Sequence, residues 1–156
     1  WHGVGTADPK QHTRRGLYII GRRNFKFPMF EVFDTPVTSQ SCPVRDVTTV
    51  APQALWCLNN QSVFRQAMHL AGRVLKAAGS ETPNQIERAW QIVLQRPPTD
   101  EERKSATQLL ETLAAHRPTP LKDPPASLKA ASPEHAQALT KLCLTLFNLS
   151  EFAFID

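Results

Sequence analysis

A chain of 156 residues, 41% hydrophobic and 21% charged with a net charge of +4, is long enough for one domain with its own core and too apolar for a disordered segment. No apolar run approaches the ~20 residues of a membrane-spanning helix, and Cys42, Cys57 and Cys143 are too few and too scattered for a disulfide scaffold or a zinc site. The charge is +3 over residues 1–60, +2 over 61–117 and −1 beyond, a spread that disfavours a nucleic-acid domain, which concentrates its cations.

The first fifty residues have no sustained helical period. Leu17-Tyr18-Ile19-Ile20 has strand composition. Phe25, Phe27, Phe30 and Phe33 follow, interrupted by Pro28 and closed by Asp34-Thr35-Pro36. The segment reads as an irregular extended arm with one or two short strands. Val37 to Thr49 is polar and turn-rich, and Pro43 argues against a helix there. The opening residue, Trp1, points to a processed or excised start, and nothing after it has the pattern of a signal peptide.

Regularity begins at Ala51. Pro52 suits a first helical turn, and Ala54, Leu55 and Leu58 supply an apolar face. Asn59-Asn60 reads as a break, with Ser62 capping a second helix. In that helix Phe64, Ala67, Met68, Ala71, Val74, Leu75 and Ala78 recur at three and four residues, and Gly79 falls at a C-terminal cap. Thr82-Pro83-Asn84-Gln85 offers a cap, a proline at the first helical position and a reciprocal glutamine. Its helix carries Ile86, Ala89, Trp90 and Val93 and ends before Pro97-Pro98. Thr99-Asp100-Glu101-Glu102 repeats the capping-box pattern, and Ala106, Leu109, Leu110 and Leu113 form that helix's stripe. Residues 117–132, with Pro118, Pro120, Pro124 and Pro125, read as a surface loop. Ser132-Pro133 then opens a last helix with Ala136, Leu139, Leu142, Cys143, Leu146 and Phe147 on its apolar face. Phe152, Phe154 and Ile155 tuck into the core or against a neighbouring domain. The fold expected is mainly α: an irregular arm over 1–50, then a bundle of four or five helices over 51–156.

Chemistry is sparse along this pattern. The glycines are isolated from one another, so no phosphate loop exists. The histidines, His2, His12, His69, His116 and His135, form no i, i+4 pair and read as surface side chains. Cys57 and Cys143 read as buried free thiols, with a Cys42–Cys57 bridge as the alternative in an oxidising compartment. Asp100, Glu101 and Glu102 are explained by their place at a helix N-terminus. Arg14, Arg15, Arg22 and Arg23 beside an apolar stretch could track a phosphate backbone, but the solvated edge of a strand accounts for them more simply. Cys42-Pro43-Val44-Arg45-Asp46, just before a helix, is either an anion-binding corner or, more simply, an ion-paired one in which Arg45 meets Asp34 or Asp46.

Several segments occur together in one order. Arg14-Arg15-Gly16-Leu17-Tyr18, Phe33-Asp34-Thr35-Pro36, Ser41-Cys42-Pro43-Val44-Arg45, Thr48 to Leu55 and Leu58-Asn59-Asn60 are followed by Leu94 to Glu102 and by Leu146 to Phe152. This set, from about Arg14 to the last residue, resembles the uncharacterised planctomycete-type domain at the C-terminus of large secreted bacterial proteins, which often carry cytochrome-c-like modules elsewhere. Gln95 stands where that pattern has glycine before Arg-Pro, a doublet of arginines is reduced to Arg45 followed by Asp46, and Trp1 to Thr13 looks unlike the family. The resemblance implies an extracytoplasmic (periplasmic or cell-surface) setting and a multidomain parent, with haem confined to another module; the residues themselves carry no cofactor or metal motif in this segment, so none is expected here. It implies no reaction.

The function expected is therefore a non-catalytic structural or interaction module whose partners are other domains of its parent. A competing expectation is a segment that completes the active site of an enzyme acting on an extracellular polymer. Its polar corner would hold Asp34, Cys42, Arg45, Asp46, Gln53 and Asn59. A weak basic nucleic-acid binder resting on the arm's arginines is a third expectation.

Overall fold

A computed structural model describes residues 30, 32, 33, 51–116 and 119–153. The chain divides into two units, Trp1–Thr49 and Val50–Asp156, and the description concerns the second. In the first, Phe30 and Val32 are helical and Phe33 lies in a turn where the sequence suggests extended chain; the other residues of the expected arm lie outside the described residues.

The second unit is a helical bundle, and no strand occurs among the described residues. Its elements are α1 (Ala51–Asn59), α2 (Gln61–Ala78), α3 (Thr82–Val93), α4 (Asp100–Ala115), α5 (Pro133–Leu146) and the single turn α6 (Ser150–Ala153). The mainly helical expectation is met, with one short helix more than the four or five anticipated. No helix is long and apolar enough to cross a membrane among the described residues.

Helix ends follow local chemistry, with two corrections. The break between α1 and α2 is a single extended residue, Asn60, and Asn60 rather than Ser62 is the cap: its side-chain oxygen accepts from the backbone N–H of Ser62 and Val63. The capping box expected at Thr82 does not form. α3 begins one residue earlier, after Glu81, with no side-chain cap, and Gln85 turns inward instead. Elsewhere the pattern holds. Thr99 and Glu102 make the reciprocal capping box of α4, Ser132 caps α5 ahead of Pro133, and Gly79 closes α2 at φ 71°, ψ −151°, a region essentially reserved for glycine.

α5 lies at the centre, packed against α2 on one side and α4 on the other, while α3 joins α2 to α4 and α1 packs on α2. Its Leu139, Leu142, Cys143 and Leu146 are buried with Ala67, Met68, Ala71 and Val74 of α2 and with Ile86, Ala89 and Trp90 of α3. Ala106 and Leu110 close the core from α4, where Leu109 and Leu113 are half-buried. Cys57 and Cys143 are free thiols; Cys57 is half-buried. Burial pushes the Cys143 thiol up to about 12, so it packs as a small apolar side chain.

Two tertiary contacts have no counterpart in the apolar pattern. Gln85 is fully buried; its Nε2 donates to the Gly79 carbonyl at 2.7 Å and its Oε1 faces His135 Nε2 at 2.8 Å. With the amide committed in that sense, His135 holds its proton on Nε2 and donates it. The amide thus ties the end of α2 to the start of α5, and His135 is half-buried rather than a surface side chain. The proline-rich segment before α5 is also more than a surface loop: it carries Leu128, 1% exposed, into the core.

That segment reaches α2 at Gly72, where an added Cβ would collide with the Ser127 hydroxyl and pack against Pro125. Glycine in mid-helix costs about 1 kcal/mol relative to alanine, and here it leaves room for the Ser127 hydroxyl. Gly72→Ala is expected to stabilise less in the wild type, where the Ser127 hydroxyl has to turn away from the new methyl group, than in a background without that hydroxyl, measured by denaturant unfolding. In a Ser127→Ala background the same change loses its clash and is expected to stabilise by up to about 1 kcal/mol. An equal effect in both backgrounds would refute the close approach.

Candidate functional site

The densest polar cluster among the described residues is built from the loop between α3 and α4, the first turn of α4, and α6. The loop leaves α3 through Gln95, a non-glycine residue at φ 58°, in the left-handed region that costs an L-residue roughly 1–2 kcal/mol. This explains the glycine expected there. Gln95 compensates in part by donating its side-chain amide to the Ile92 carbonyl at 3.0 Å.

The turn delivers Arg96 between two carboxylates. Its Nη1 and Nη2 each donate at 2.8 Å to the two oxygens of Glu102. Its Nε and Nη2 donate to the two oxygens of Glu151 at 2.7 and 2.6 Å. Both pairs are therefore bidentate, the geometry for which guanidinium is suited and ammonium is not. Glu102 performs a second task, accepting the Thr99 backbone N–H at 2.7 Å as the reciprocal arm of the capping box. Arg96 thus ties the N-terminus of α4 to the C-terminal turn, where Phe152 stacks on Phe147 at 5.0 Å between ring centroids.

Electrostatics follow the geometry. The Arg96 hydrogen bonds, with help from the Thr99 N–H, hold Glu102 down at about 2 against an ordinary 4.5. The same guanidinium lowers Glu151, and the two carboxylates raise Arg96. All three groups are charged near neutral pH, and both carboxylates are hydrogen-bonded, so neither is poised as a general acid. Beside the cluster a half-open groove of about 350 Å³ runs between α4 and α5, its apolar walls formed by Trp90, Ala106, Leu109, Leu142, Leu146 and Leu149.

The polar corner read from the sequence is only partly in view. Asp34, Cys42, Arg45 and Asp46 lie outside the described residues, as do Arg14, Arg15, Arg22, Arg23, Phe154 and Ile155. Gln53 is buried at 7% exposure. Asn59 is exposed and turns its amide back to the Leu55 carbonyl at 2.9 Å. No group of three metal-ligating side chains is found among the described residues. Arg96 and Glu151 were not among the candidates, although both stand in the segments that carry the resemblance, Leu94 to Glu102 and Leu146 to Phe152. That coincidence was the signal available.

The sequence profile of the PSD1 family, described as a protein of unknown function (DUF1553), matches residues 3–110. The chain belongs to that family. The PSD1 match starts earlier than the resemblance at Arg14, taking in most of the opening segment, and stops within α4. It therefore contains Arg96 and Glu102 but not Glu151. No curated protein and no solved structure matches the chain.

Two outcomes check this site. Gln95→Gly is expected to raise stability by roughly 0.5–1 kcal/mol in thermal or denaturant unfolding, because relief of the left-handed strain outweighs the added unfolded-state entropy. A loss of stability would show that the Ile92 hydrogen bond matters more. For Glu102, a folded value held below the unfolded one makes its contribution complete above the unfolded value of about 4.5 and progressively lost as pH falls toward about 2. Glu102→Gln should therefore destabilise most at neutral pH, with the gap to wild type closing below pH ~4; a pH-independent gap would contradict the ion pair's role.

Proposed function

We propose that this chain is a non-catalytic structural or interaction module forming the C-terminal part of a larger extracytoplasmic protein, with other domains of that protein as its partners. The observation that carries the reading is the employment of the strongest polar groups in scaffolding. Arg96 spends its donors on Glu102 and Glu151, and Gln85 spends its buried amide on Gly79 and His135. Groups used in this way hold helices and loops in register, and they are not free to bind or activate a substrate. The multidomain and extracytoplasmic parts of the proposal rest on the resemblance drawn from the ordered segments, and haem, where such a parent carries it, belongs to another module.

Limited proteolysis of the chain should leave a resistant fragment holding α2 to α5, with early cuts confined to positions before Ala51. Rapid digestion throughout the bundle would overturn a self-standing module. For the parent, the native protein from its source cells should show an intact mass well above the 17.5 kDa of this chain. A native mass equal to it would overturn the multidomain setting.

A further inference from the structure

The C-terminal turn is held differently from the rest of the bundle. α6 has no extensive packing against any other helix, and Ser150, Glu151 and Phe152 are all exposed. Phe152 stacks on Phe147, at the end of the helix just before it. The Asn148 side-chain amide donates back to the Leu144 carbonyl. The backbone bonds from Leu149 N to Leu146 O and from Phe152 N to Leu149 O are equally local. Among the described residues, the polar contacts that tie residues 147–152 to anything beyond the end of α5 are those of Glu151 with Arg96. Both partners lie at the surface, with 35% and 45% of their side chains exposed. Leu149 differs from the residues that follow it: it is half-buried against the core and forms one wall of the apolar groove between α4 and α5. Trp90 forms another wall of that groove, and its indole N–H is buried beside Glu102.

We infer that α6 and Leu149 form a strap that opens without unfolding the bundle, held shut by the Arg96–Glu151 pair and uncovering the α4–α5 groove when that pair breaks. The parts of a folded protein that open first are those with few buried apolar contacts and exposed hydrogen bonds, which describes residues 150–152. An ion pair at the surface contributes little to stability, so its loss detaches a turn and does not dissolve a core. The other carboxylate on Arg96 is anchored more firmly. Glu102 also accepts the Thr99 N–H, and its helix enters the core through Ala106 and Leu110. When Glu151 leaves, Arg96 therefore stays on Glu102, and the corner between α3 and α4 keeps its geometry. Leu149 moves with α6 because its carbonyl accepts the Phe152 N–H, and its departure takes away one wall of the groove. The inference goes beyond the module reading and does not depend on it: it gives the scaffold a movable part.

The test is hydrogen exchange of the full chain, followed residue by residue by NMR. In the wild type the amides of Leu149 and Phe152 and the indole N–H of Trp90 should exchange together, far faster than the core amides of Val74 and Leu139. Low concentrations of urea should leave those three rates unchanged, because opening one turn exposes little surface. Glu151→Gln is expected to speed all three by a common factor of about two to five, the range for exposed ion pairs. Glu87→Gln removes an equal charge and the surface pair with Arg103, and should leave the three rates as they are. Unchanged exchange in Glu151→Gln would show that apolar contact holds the turn, and an equal acceleration in Glu87→Gln would show that net charge does; either overturns the proposal. Exchange in step with Val74 and Leu139, with the same urea dependence, would also overturn it, because the turn would then open only with the whole bundle. Acceleration at Phe152 without Trp90 would refute the strap as a cover for the groove. Opening is the minor state in the wild type, so the proteolysis pattern that tests the module is unaffected by these outcomes.

Discussion

The burial of α5 between α2 and α4 is the constraint on which the other elements depend, because a helix covered on two sides cannot be placed until both neighbours are in position. Leu139, Leu142, Cys143 and Leu146 of α5 are each 1% exposed or less, and apolar area removed from water is the main term available to a bundle of this size. α3 closes the arrangement by joining α2 to α4, so the last long helix of the chain docks into a frame set up by the three before it. The fully buried Thr140 is tolerated at this centre because its hydroxyl donates to the Ala136 carbonyl one turn back.

Around that packed centre, the polar groups with several partners act where the chain changes direction. Gln85 holds the turn from α2 into α3 and ties it to α5, and Arg96 holds the turn from α3 into α4 and ties it to α6. In each case one side chain with several donors or acceptors satisfies groups from elements far apart in sequence, which turns a loop into a fixed corner. Arg96 performs this at the surface, where its two bidentate pairs are partly screened; their effect is geometric, setting the position of the C-terminal turn against the capping box of α4.

The polar chemistry of the bundle's corners is thus directed inward, while Arg65, Arg73 and Lys76 face outward along α2. These two populations have different consequences. The first fixes a scaffold and accounts for a domain without an evident reaction centre among its described residues. The second lies on the exposed side of α2, where Lys76, in the last turn, is placed to stabilise the helix dipole while Arg65 and Arg73 enter no ion pair among the described residues.

Much of the secondary structure was legible because its determinants are local. A Thr and a Glu three residues apart specify the cap of α4, Ser-Pro opens α5, and a glycine after an apolar stripe closes α2; each rests on hydrogen bonds within one turn. The same locality misled at Thr82-Pro83-Asn84-Gln85, where the reciprocal position is filled by a glutamine whose buried partners, Gly79 and His135, outcompete the cap. Leu128 was hidden in a proline-rich stretch because one apolar residue has no period. Arg96 and Glu151 are 55 residues apart, and no spacing rule links a turn to a helix at that distance. The basic line on α2 was missed for a related reason: summed over long segments the charge is mild and dispersed, and only the helix, with one face buried against α3 and α5, gathers the cations on the other. Composition and local pattern, then, determined the helices and most of their ends. Which polar residues meet, and which charges are left facing outward, was decided by the packing of those helices, because burial selects one face of each and brings together groups that the chain keeps apart.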